Sequence, residues 1–558
     1  MNSAALLALL LAAAPAKPPA AEQKGAPEQK AARVLTAPLV AEHIRVLASD
    51  EYEGRGPGTR GDELARKYIA EQFHKLGLKP AAPGGSWNQP VTLMGANAHP
   101  DKMVLSGNGK TLELQFHTDF IANAGDLKPQ TQLKDAELVF VGYGIQAPEF
   151  QWDDYKGADL KGKVLVMMNS DPDWDPALFA GKFRLWYGRW DYKYEIAAKV
   201  GAAGAIILHS HASAGYPWQV VQNSWTGVQF ELPSSGAPTL KLKAWTTEEA
   251  TRRLLALSGR ELDALVQSAR SREFRPVPLG VTASIDFKSD IREIQTGNVL
   301  GMLPGSDPVL SKEVVLFTAH HDHLGKKDNG KPGEDVIFNG AVDNASGVAQ
   351  LLALAKAYAS LPTPPRRSLL FAAVAAEEQG LLGSQYLAEH PPVPVGRIAA
   401  DLNIDGANIW GRTRDVIAIG LGKTDLDARL IAIAKRQGRV VVPDQFPDRG
   451  FFYRSDQFSF AKLGVPSVYA DSGVDYVGRP KGWGQAQRKA FETNHYHRPS
   501  DQFDPKWDLS GAVQDCELYF WLGLEVANAD EMPKWTPGDE FELPRKKALE
   551  AAARGAAK

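Results

Sequence analysis

The second half of the chain alternates short, almost purely apolar runs with longer segments of helical periodicity. Strands are predicted in KEVVLFTAHHD, RRSLLFAAVAAEE, RIAADLNID and VPSVYAD, and helices are predicted in NASGVAQLLALAKAYASL, GLLGSQYLAEH, DLDARLIAIAKRQG and SGAVQDCELYFWLGLEVANA. Apolar strands separated by helices are typical of an α/β fold whose doubly wound, mostly parallel sheet is covered on both faces. Ligands of such sheets bind beyond the carboxyl ends of the strands, so the residues that follow each apolar run are candidates for a functional site.

The length of the chain predicts more than one domain. Its 558 residues exceed what a single core normally organises, and β-like runs such as ELVFVGYGI and GAIILHS give the segment from about Ala136 a different texture. We expect a main α/β domain over residues 33–132 and 288–530, beginning with two helices joined by the Gly-rich loop DEYEGRGPGTRG. Within it, residues 133–287 are expected to form an inserted mixed α/β or β-rich domain, and residues 531–558 a polar C-terminal tail.

The N-terminus is typical of a secretory signal peptide. The apolar run Ala4–Ala14 is shorter than the about 20 residues that span a bilayer, and it precedes an Ala-x-Ala cleavage pattern ending at Ala16. We expect residues 1–16 to be removed, residues 17–32 to form an Ala/Pro-rich linker, and the mature chain to be periplasmic or extracellular without stable membrane insertion. Because no Lys or Arg precedes the apolar run, a disordered alanine-rich tail is the alternative.

Composition narrows the chemistry that the chain can use. A net charge of −3 gives no electrostatic footprint for nucleic acid. The single cysteine, Cys516, excludes an intramolecular disulfide and a thiolate metal cluster, and its apolar-rich surroundings predict a small buried residue. Any metal site must therefore use His, Asp and Glu.

Side chains of the ligand type follow several predicted strands. In TAHHDHLG, strand alternation would direct His320 and Asp322 to the same side, where His320 could bind a metal and Asp322 could orient its ring. A solvated polar strand end is the alternative for this pair alone. Glu377 and Glu378 end a buried strand and need neutralising there, because an unpaired buried carboxylate is costly.

Further candidates lie in loops and at another strand end. Asp343 precedes a predicted helix and could equally cap it, whereas Asp405 closes the run LNID. His497 and Asp501 share the loop HYHRPSD.

These candidates form an ordered set of motifs: A-H-x-D-H-x-G, G-A-x-D-N-A-S-G, E-E-x-G-L-x-G-S, N-x-D and Y-H-x-x-x-D. Taken together, they resemble the co-catalytic zinc exopeptidase family, which includes bacterial and yeast vacuolar aminopeptidases and glutamate carboxypeptidase II. The segment ASDEYEGRGPGTRGDELARKYIAEQFHKLGLKP also resembles the N-terminal part of that family. The predicted insert, residues 133–287, resembles the protease-associated domain that many members carry.

The resemblance implies a pair of zinc ions that share one carboxylate. One ion would take His320, Asp343 and Asp405, and the other would take Asp343, Glu378 and His497. Three protein ligands leave each zinc an open position, which is the mark of a catalytic site. His321, His323 and His495 are not assigned to metal.

The resemblance also implies roles for residues beside the ions. Glu377 would be the general base, and Asp322 would support the ligands. Tyr496 is either a donor to the oxyanion or a packed loop aromatic. Asp501 is either a support for the ligands or a turn residue. For Arg449 and Arg454 two interpretations stay open: binding of a substrate carboxylate, or pairing with Asp448 and Asp456.

The function implied by this set is hydrolysis of peptide bonds at a free chain end, most simply as an aminopeptidase. The alternatives are a carboxypeptidase of the glutamate carboxypeptidase type and a single-zinc transferase resembling glutaminyl cyclase. A receptor-like protein without activity is disfavoured, because all five implied ligands and Glu377 are present. Peptides are the expected partners, and no oligomeric state is predicted.

Overall fold

The computed structural model describes residues 26–556 apart from 176–177, 182, 215–216, 234–235 and 328–332. The predicted signal peptide and the first part of the predicted linker lie outside these residues. The end of that linker is helical over Pro27–Ala32, and Ala31 and Ala32 are buried in the main core.

The helices of the described residues have the following bounds: α1 (Pro27–Ala32), α2 (Ala37–Leu47), α3 (Arg60–Lys75), α4 (Trp190–Lys199), α5 (His211–Ala214), α6 (Trp218–Ser224), α7 (Glu248–Leu257), α8 (Leu262–Ser268), α9 (Ser346–Ala359), α10 (Leu382–Glu389), α11 (Leu426–Arg436), α12 (Gln457–Ala461), α13 (Trp483–Asn494), α14 (Ser510–Asn528) and α15 (Glu542–Ala556). Across the described residues, no helix combines the length and the apolar character needed to cross a bilayer.

The strands have the following bounds: β1 (Lys79–Pro80), β2 (Asn88–His99), β3 (Lys102–Gly107), β4 (Lys110–Gln115), β5 (Phe120–Ala124), β6 (Gln130–Phe140), β7 (Gln146–Ala147), β8 (Trp152–Asp153), β9 (Val164–Met168), β10 (Gly204–His209), β11 (Val228–Glu231), β12 (Leu242–Thr247), β13 (Val277–Leu303), β14 (Val314–His320), β15 (Gly325–Lys326), β16 (Ile337–Phe338), β17 (Ser368–Val374), β18 (Ile398–Asn403), β19 (Asp415–Ile419), β20 (Val440–Pro443) and β21 (Ser467–Ser472).

The main sheet has the strand order β13–β17–β14–β18–β21–β19–β20. Its four central strands β17, β14, β18 and β21 are parallel, and β13 and β19 join them antiparallel. The predicted doubly wound, mostly parallel α/β sheet is confirmed. Side chains of β14 alternate between two hydrophobic clusters: Val315 and Phe317 face one shared with α2, α9 and α14, whereas Val314 and Leu316 face one shared with α10 and α12. Burial on both faces explains why the run reads as continuously apolar.

A second hydrophobic core organises the insert. Strands β6, β9, β10 and β12 run parallel there, β5 joins β12 antiparallel, and helices α4 and α7 contribute to the core. This core begins at Met103, so β3, β4 and β5 pack with the insert although the sequence assigned them to the first segment of the main domain, residues 33–132. Their alternating pattern is the same in either domain, which is why the sequence did not separate them.

Strand β13 connects the two cores without a break. Residues 277–288 pair with β6, residues 288–299 pair with β2, and residues 299–303 pair with β17 of the main sheet. The insert therefore continues the hydrogen-bonded ladder of the main domain.

The segment predicted as a polar tail is folded against the body over its described part. Trp535 and Phe541 are buried in a cluster with Phe452, Tyr453 and Phe458, and α15 follows them. The interpretation as a tail was wrong here, because two aromatic anchors in a mostly charged segment leave little trace in its average polarity.

Candidate metal centre

The carboxyl ends of the central strands bring one group of donor atoms together. β14 ends at His320, and Asp405 follows β18, its parallel neighbour. His320 Nε2 lies 3.2 Å from Asp405 Oδ1 and 3.4 Å from Asp343 Oδ1. Asp343 itself lies in the loop that leads into α9. The implied ligands of the first zinc therefore converge.

A second group forms on the other oxygen of Asp343. His497 Nε2 lies 3.1 Å from Asp343 Oδ2 and 3.2 Å from Glu378 Oε2. Each carboxylate oxygen of Asp343 thus contacts a different imidazole, which is the arrangement that a bridging ligand requires. The other four implied ligands lie around this one carboxylate.

His323, which was not assigned to metal from the sequence, lies in the same place. Its Nδ1 is 2.6 Å from Glu378 Oε1 and 4.0 Å from Asp343 Oδ2, and these three residues offer donor atoms within 4.8 Å of one another. Strand alternation would turn His323 away from the side of His320, but β14 ends at His320, so alternation does not govern the position of His323. The third imidazole of the motif was the signal that could have identified it.

Asp322 supports the glutamate pair with its side chain. Its buried carboxylate accepts hydrogen bonds from the backbone N–H groups of Glu377, at 3.1 Å, and Glu378, at 3.3 Å. His320 Nδ1 instead lies 3.2 Å from the backbone carbonyl oxygen of Asp322 and 3.8 Å from its carboxylate. The ring of His320 is therefore oriented by the backbone of Asp322, and the carboxylate orients the next strand end.

Asp501 supports the loop of the shared carboxylate. It is buried, and its oxygens accept from Val342 N at 3.0 Å and Asp343 N at 3.2 Å. Of the two interpretations of Asp501, these contacts favour the support over the simple turn residue.

The remaining histidines lie outside the donor groups. His321 is buried with Nε2 3.0 Å from Asp62 Oδ1 on α3, and His495 Nδ1 lies 3.0 Å from Ser500 Oγ.

Tyr496 is 43% exposed, and its ring stacks on that of His497 with 3.9 Å between centroids. It therefore lies on the surface of the site and not inside a packed loop. Arg449 and Arg454 lie over the rings of Phe446 and Phe451, and neither forms an ion pair with Asp448 or Asp456 among the residues that the structure describes.

The site is strongly acidic, and its carboxylates raise the pKa of the imidazoles of His320 and His497. Burial lowers the pKa of His320, but the carboxylates of Glu377, Asp343 and Asp405 outweigh it and raise that pKa well above its usual value. Burial also opposes protonation of His497, whose bonds to Asp343 and Glu378 raise its pKa to about 10. Buried carboxylates that draw protons onto their neighbours form an environment for a cation.

The donor set fits zinc. Zinc takes imidazole nitrogen and carboxylate oxygen in groups of three protein ligands at catalytic sites, and both groups offer that number. His323 Nε2 is buried without a hydrogen-bond partner among the described residues, and an unsatisfied buried polar atom of this kind is consistent with a site for an ion.

Ser455 belongs to the site and was missed. Its Oγ donates to Asp405 Oδ2 at 2.7 Å and accepts from Asn403 Nδ2 at 2.7 Å, so it fixes the carboxylate at the end of β18. A serine in the loop FYRSDQF gives no signal of its own, and only the adjacent charged residues mark the segment.

Comparison with known families decides what kind of domain carries this geometry. Residues 298–521 match the model of peptidase family M28. We refer to residues 298–521 as the M28 domain, after the family model that they match. All five implied ligands and Glu377 fall within the M28 domain, whereas the insert, α2, α3 and α15 fall outside it.

Curated relatives of the M28 domain are peptidases by name. Aminopeptidase YwaD of Bacillus subtilis (strain 168) is 26% identical over 360 residues, which is 63% of this chain and 58% of that protein. A probable zinc metalloprotease of Pyrenophora teres f. teres (strain 0-1) is 47% identical over 121 residues, which is 22% of this chain and 24% of that protein. The chain therefore spans less than two thirds of these relatives.

Among solved structures, an aminopeptidase from Aneurinibacillus sp. strain AM-1 aligns with a TM-score of 0.48 and 20% identity. That alignment covers 90% of this chain and 97% of the other.

Proposed function

We propose that the chain is a zinc-dependent metallopeptidase with two ions per molecule that releases N-terminal residues from peptides. The observation that carries the proposal is the position of Asp343, whose two oxygens lie 3.4 Å from His320 and 3.1 Å from His497. The names of the relatives, an aminopeptidase and a probable zinc metalloprotease, support the class of reaction.

One ion would be held by His320, Asp343 and Asp405. The other ion would be held by Asp343, Glu378 and His497, and His323 is the competing donor for this second ion. Zinc held in this way supplies a Lewis acid for the scissile carbonyl and lowers the pKa of water towards neutrality. Asp322, Asp501 and Ser455 keep the donor carboxylates and their loops in place by the hydrogen bonds described above.

Glu377 is the general base of this proposal. Its Oε2 lies 3.9 Å from His320 Nε2, it belongs to neither donor group, and its backbone is held by Asp322. Glu377 would take a proton from the attacking water and deliver it to the leaving amine. Tyr496, exposed beside His497, would donate its hydroxyl to the oxygen on which negative charge develops.

The insert, which we propose to be a protease-associated domain, approaches the cleft from one side. Arg184 donates its backbone N–H to Pro447 O at 3.1 Å, in the loop before Ser455. An insert that narrows access to the metal centre would favour short peptides and chain ends as substrates. Export of the chain stays a prediction from residues 1–16, and N-terminal sequencing of the secreted protein would test it.

Metal content tests the bridging carboxylate. We expect purified wild-type protein to contain two zinc ions per chain by mass spectrometry of the metal. Asp343→Ala should lose both, whereas Asp504→Ala, which removes an exposed turn carboxylate, should keep both. Two tightly bound ions in Asp343→Ala would contradict the bridge.

A substrate panel tests the polarity of the exopeptidase. We expect hydrolysis of aminoacyl chromogenic amides and none of N-blocked peptides with a free carboxylate. Cleavage of the blocked peptides alone would assign a carboxypeptidase. Cyclisation of N-terminal glutamine with one zinc per chain would assign a transferase.

A further inference from the structure

Arg55 is buried far from solvent, although it lies in the Gly-rich loop DEYEGRGPGTRG before α3. Its exposure is 0%, which is rare for a guanidinium, and it lies outside the M28 domain. A side chain of this kind must find hydrogen-bond acceptors inside the protein, because an unpaired buried charge is strongly destabilising.

The acceptors of Arg55 are backbone carbonyls from separate parts of the chain. Nη1 donates to Leu47 O and Asn339 O, both at 2.6 Å, Nη2 donates to Gly340 O at 2.9 Å, and Nε donates to His321 O at 2.8 Å. Leu47 ends α2, His321 directly follows the ligand His320, and Asn339 and Gly340 begin the loop of Asp343. The Arg55 side chain thus connects two loops to the end of α2. One loop follows His320, and the other contains Asp343.

The positive charge of Arg55 is also favourable beside the acidic metal centre. Burial lowers its pKa to about 10, and the carboxylates of Asp322, Asp501, Asp343 and Glu378 act in the opposite direction, so it stays protonated near neutral pH. It therefore brings a permanent positive charge close to a site whose donors are largely carboxylates.

We propose that Arg55 is a positioning residue that holds the loops of residues 320–323 and 339–343 in the arrangement needed to bind metal, including when no metal is bound. The proposal rests on the zinc site proposed above and adds that the site depends on a residue outside the M28 domain. The planar fork of the guanidinium makes these four bonds at once, which the point charge of a lysine cannot do.

The matched comparison comes from a second buried arginine at the opposite edge of the sheet. Arg367, 1% exposed at the start of β17, donates from Nη1 to Val526 O and Ala529 O and from Nε to Glu313 Oε2. It is buried to nearly the same extent and also donates to two backbone carbonyls, with a carboxylate as its third partner, and none of these partners lies in a ligand loop. Arg60, whose side chain is 60% exposed in the same segment as Arg55, is the surface control.

The experiment compares zinc affinity and melting temperature in Arg55→Lys, Arg55→Met, Arg367→Lys and Arg60→Met. Zinc affinity is measured by competition with a chromophoric chelator. The melting temperature is measured once in excess zinc and once in excess chelator. We expect Arg55→Lys to lose about 10- to 100-fold in zinc affinity, as for other supports of metal ligands. Its melting temperature should fall further in chelator than in zinc. Arg367→Lys should melt earlier in both conditions with unchanged zinc affinity, and Arg60→Met should match the wild type.

The outcomes separate this inference from the function on which it rests. Unchanged zinc affinity in Arg55→Lys, or an equal loss in Arg367→Lys, would overturn the positioning role while leaving the zinc site intact. A wild-type chain that takes up no zinc would overturn both. If Arg55→Met does not fold, Arg55→Lys still decides the question, because it keeps the charge and some of the bonds.

Discussion

Glu377 and Glu378 are adjacent in sequence but lie in opposite electrostatic surroundings. Burial raises the pKa of Glu377 well above its usual value, and the charges of Asp405 and Glu378 add to that effect against the opposing influence of His320. Burial and the charge of Asp343 also act to raise the pKa of Glu378, but its bonds to His323 and His497 lower it to about 2. Neighbouring carboxylates whose pKa values are shifted in opposite directions are suited to different tasks, one to moving a proton and one to binding a cation.

Glu377→Gln tests that division. The amide keeps the size of the side chain but cannot take a proton, so we expect kcat to fall about 10²- to 10⁴-fold while zinc content stays at the wild-type level. Steady-state kinetics and metal analysis of the same preparation measure both quantities. Glu389→Gln, an exposed glutamate on α10, is the control. A kcat near the wild-type value would remove Glu377 from the mechanism.

His43 gives the fold a sensitivity to acid that is independent of the metal centre. It is 7% exposed on α2, its Nδ1 lies 2.7 Å from Tyr68 Oη on α3, and burial lowers its pKa from 6.5 to about 4. As pH falls below 6.5, the unfolded chain binds a proton that the folded chain does not bind until about pH 4. Stability is therefore lost between these values, by about 3 kcal/mol at most.

His43→Gln should flatten this part of the pH profile. We expect the fall in melting temperature between pH 7 and pH 4.5 to be smaller in His43→Gln than in the wild type. His74→Gln, which removes an exposed histidine on α3, should leave the profile unchanged. Parallel profiles for the wild type and His43→Gln would show that the histidine is not the acid-sensitive group.

At the level of single residues, the sequence could predict that the implied ligands lie close together, but not which atoms each side chain contacts. His320, Asp405 and Glu378 follow parallel strands, and the carboxyl ends of such strands meet at one edge. The partner of the Asp322 carboxylate could not be predicted, because the choice between a ring and two backbone N–H groups depends on how the chain turns after β14. Arg55 gave no signal at all, because its partners are carbonyls distant in sequence.

At the level of elements, the folded C-terminal segment fixes the loop that carries Ser455. Glu540 accepts from Lys423 Nζ at 2.9 Å and from Tyr453 Oη at 2.5 Å, and from the backbone N–H of Trp186 in the insert at 3.3 Å. One buried carboxylate therefore contacts the M28 domain and the insert together.

Lys423→Met tests this junction. The Lys423 side chain is 15% exposed, and its partners Asp539 and Glu540 are 9% and 1% exposed, so its removal leaves two buried carboxylates without their cation. We expect a loss of about 3–5 kcal/mol in stability, seen as a clear fall in melting temperature. Lys534→Met removes an exposed surface pair with Glu531, which solvent screens, and should change little. Equal melting of the two variants would show that the junction contributes no stability.

The elements of the main domain were largely predictable, and their joins with the insert were not. The strands β14, β17 and β18 and the helices α9, α10, α11 and α14 fall within the predicted runs, and β21 ends one residue beyond its run, because burial on both faces leaves a strong apolar pattern. The length of β13 was not expected, since its residues alternate with many charged neighbours, as an edge or a hairpin would.

At the scale of the whole molecule, metal removal should destabilise the protein throughout its main domain. An ion that binds only the folded state stabilises it by about 2.7 kcal/mol when present at 100 times its dissociation constant. We expect chelation to lower the melting temperature and renewed zinc to restore it. Asp343→Ala should melt at the same temperature in both conditions. A wild-type melting temperature that does not respond to chelator would contradict the proposed centre.

The insert contacts the main domain at several further points. Glu195 on α4 pairs with Lys462 at 2.6 Å, and the ring of Trp186 packs edge-on against Phe458 at 5.9 Å between centroids. Both contacts lie close to α12, the helix that follows Ser455. Changes in the insert can therefore reach the segment that supports Asp405.

The single strand β13 limits how freely the insert can move. A module attached by two flexible tethers can swing as a unit, but here one continuous backbone carries ladder bonds to β6 at one end and to β17 at the other. Swinging the insert would require breaking that ladder midway along its length. If the chain is the peptidase proposed above, access to the metal centre should therefore keep nearly the same width with and without substrate, so that selection among peptides would depend on a fixed aperture and not on closure around them.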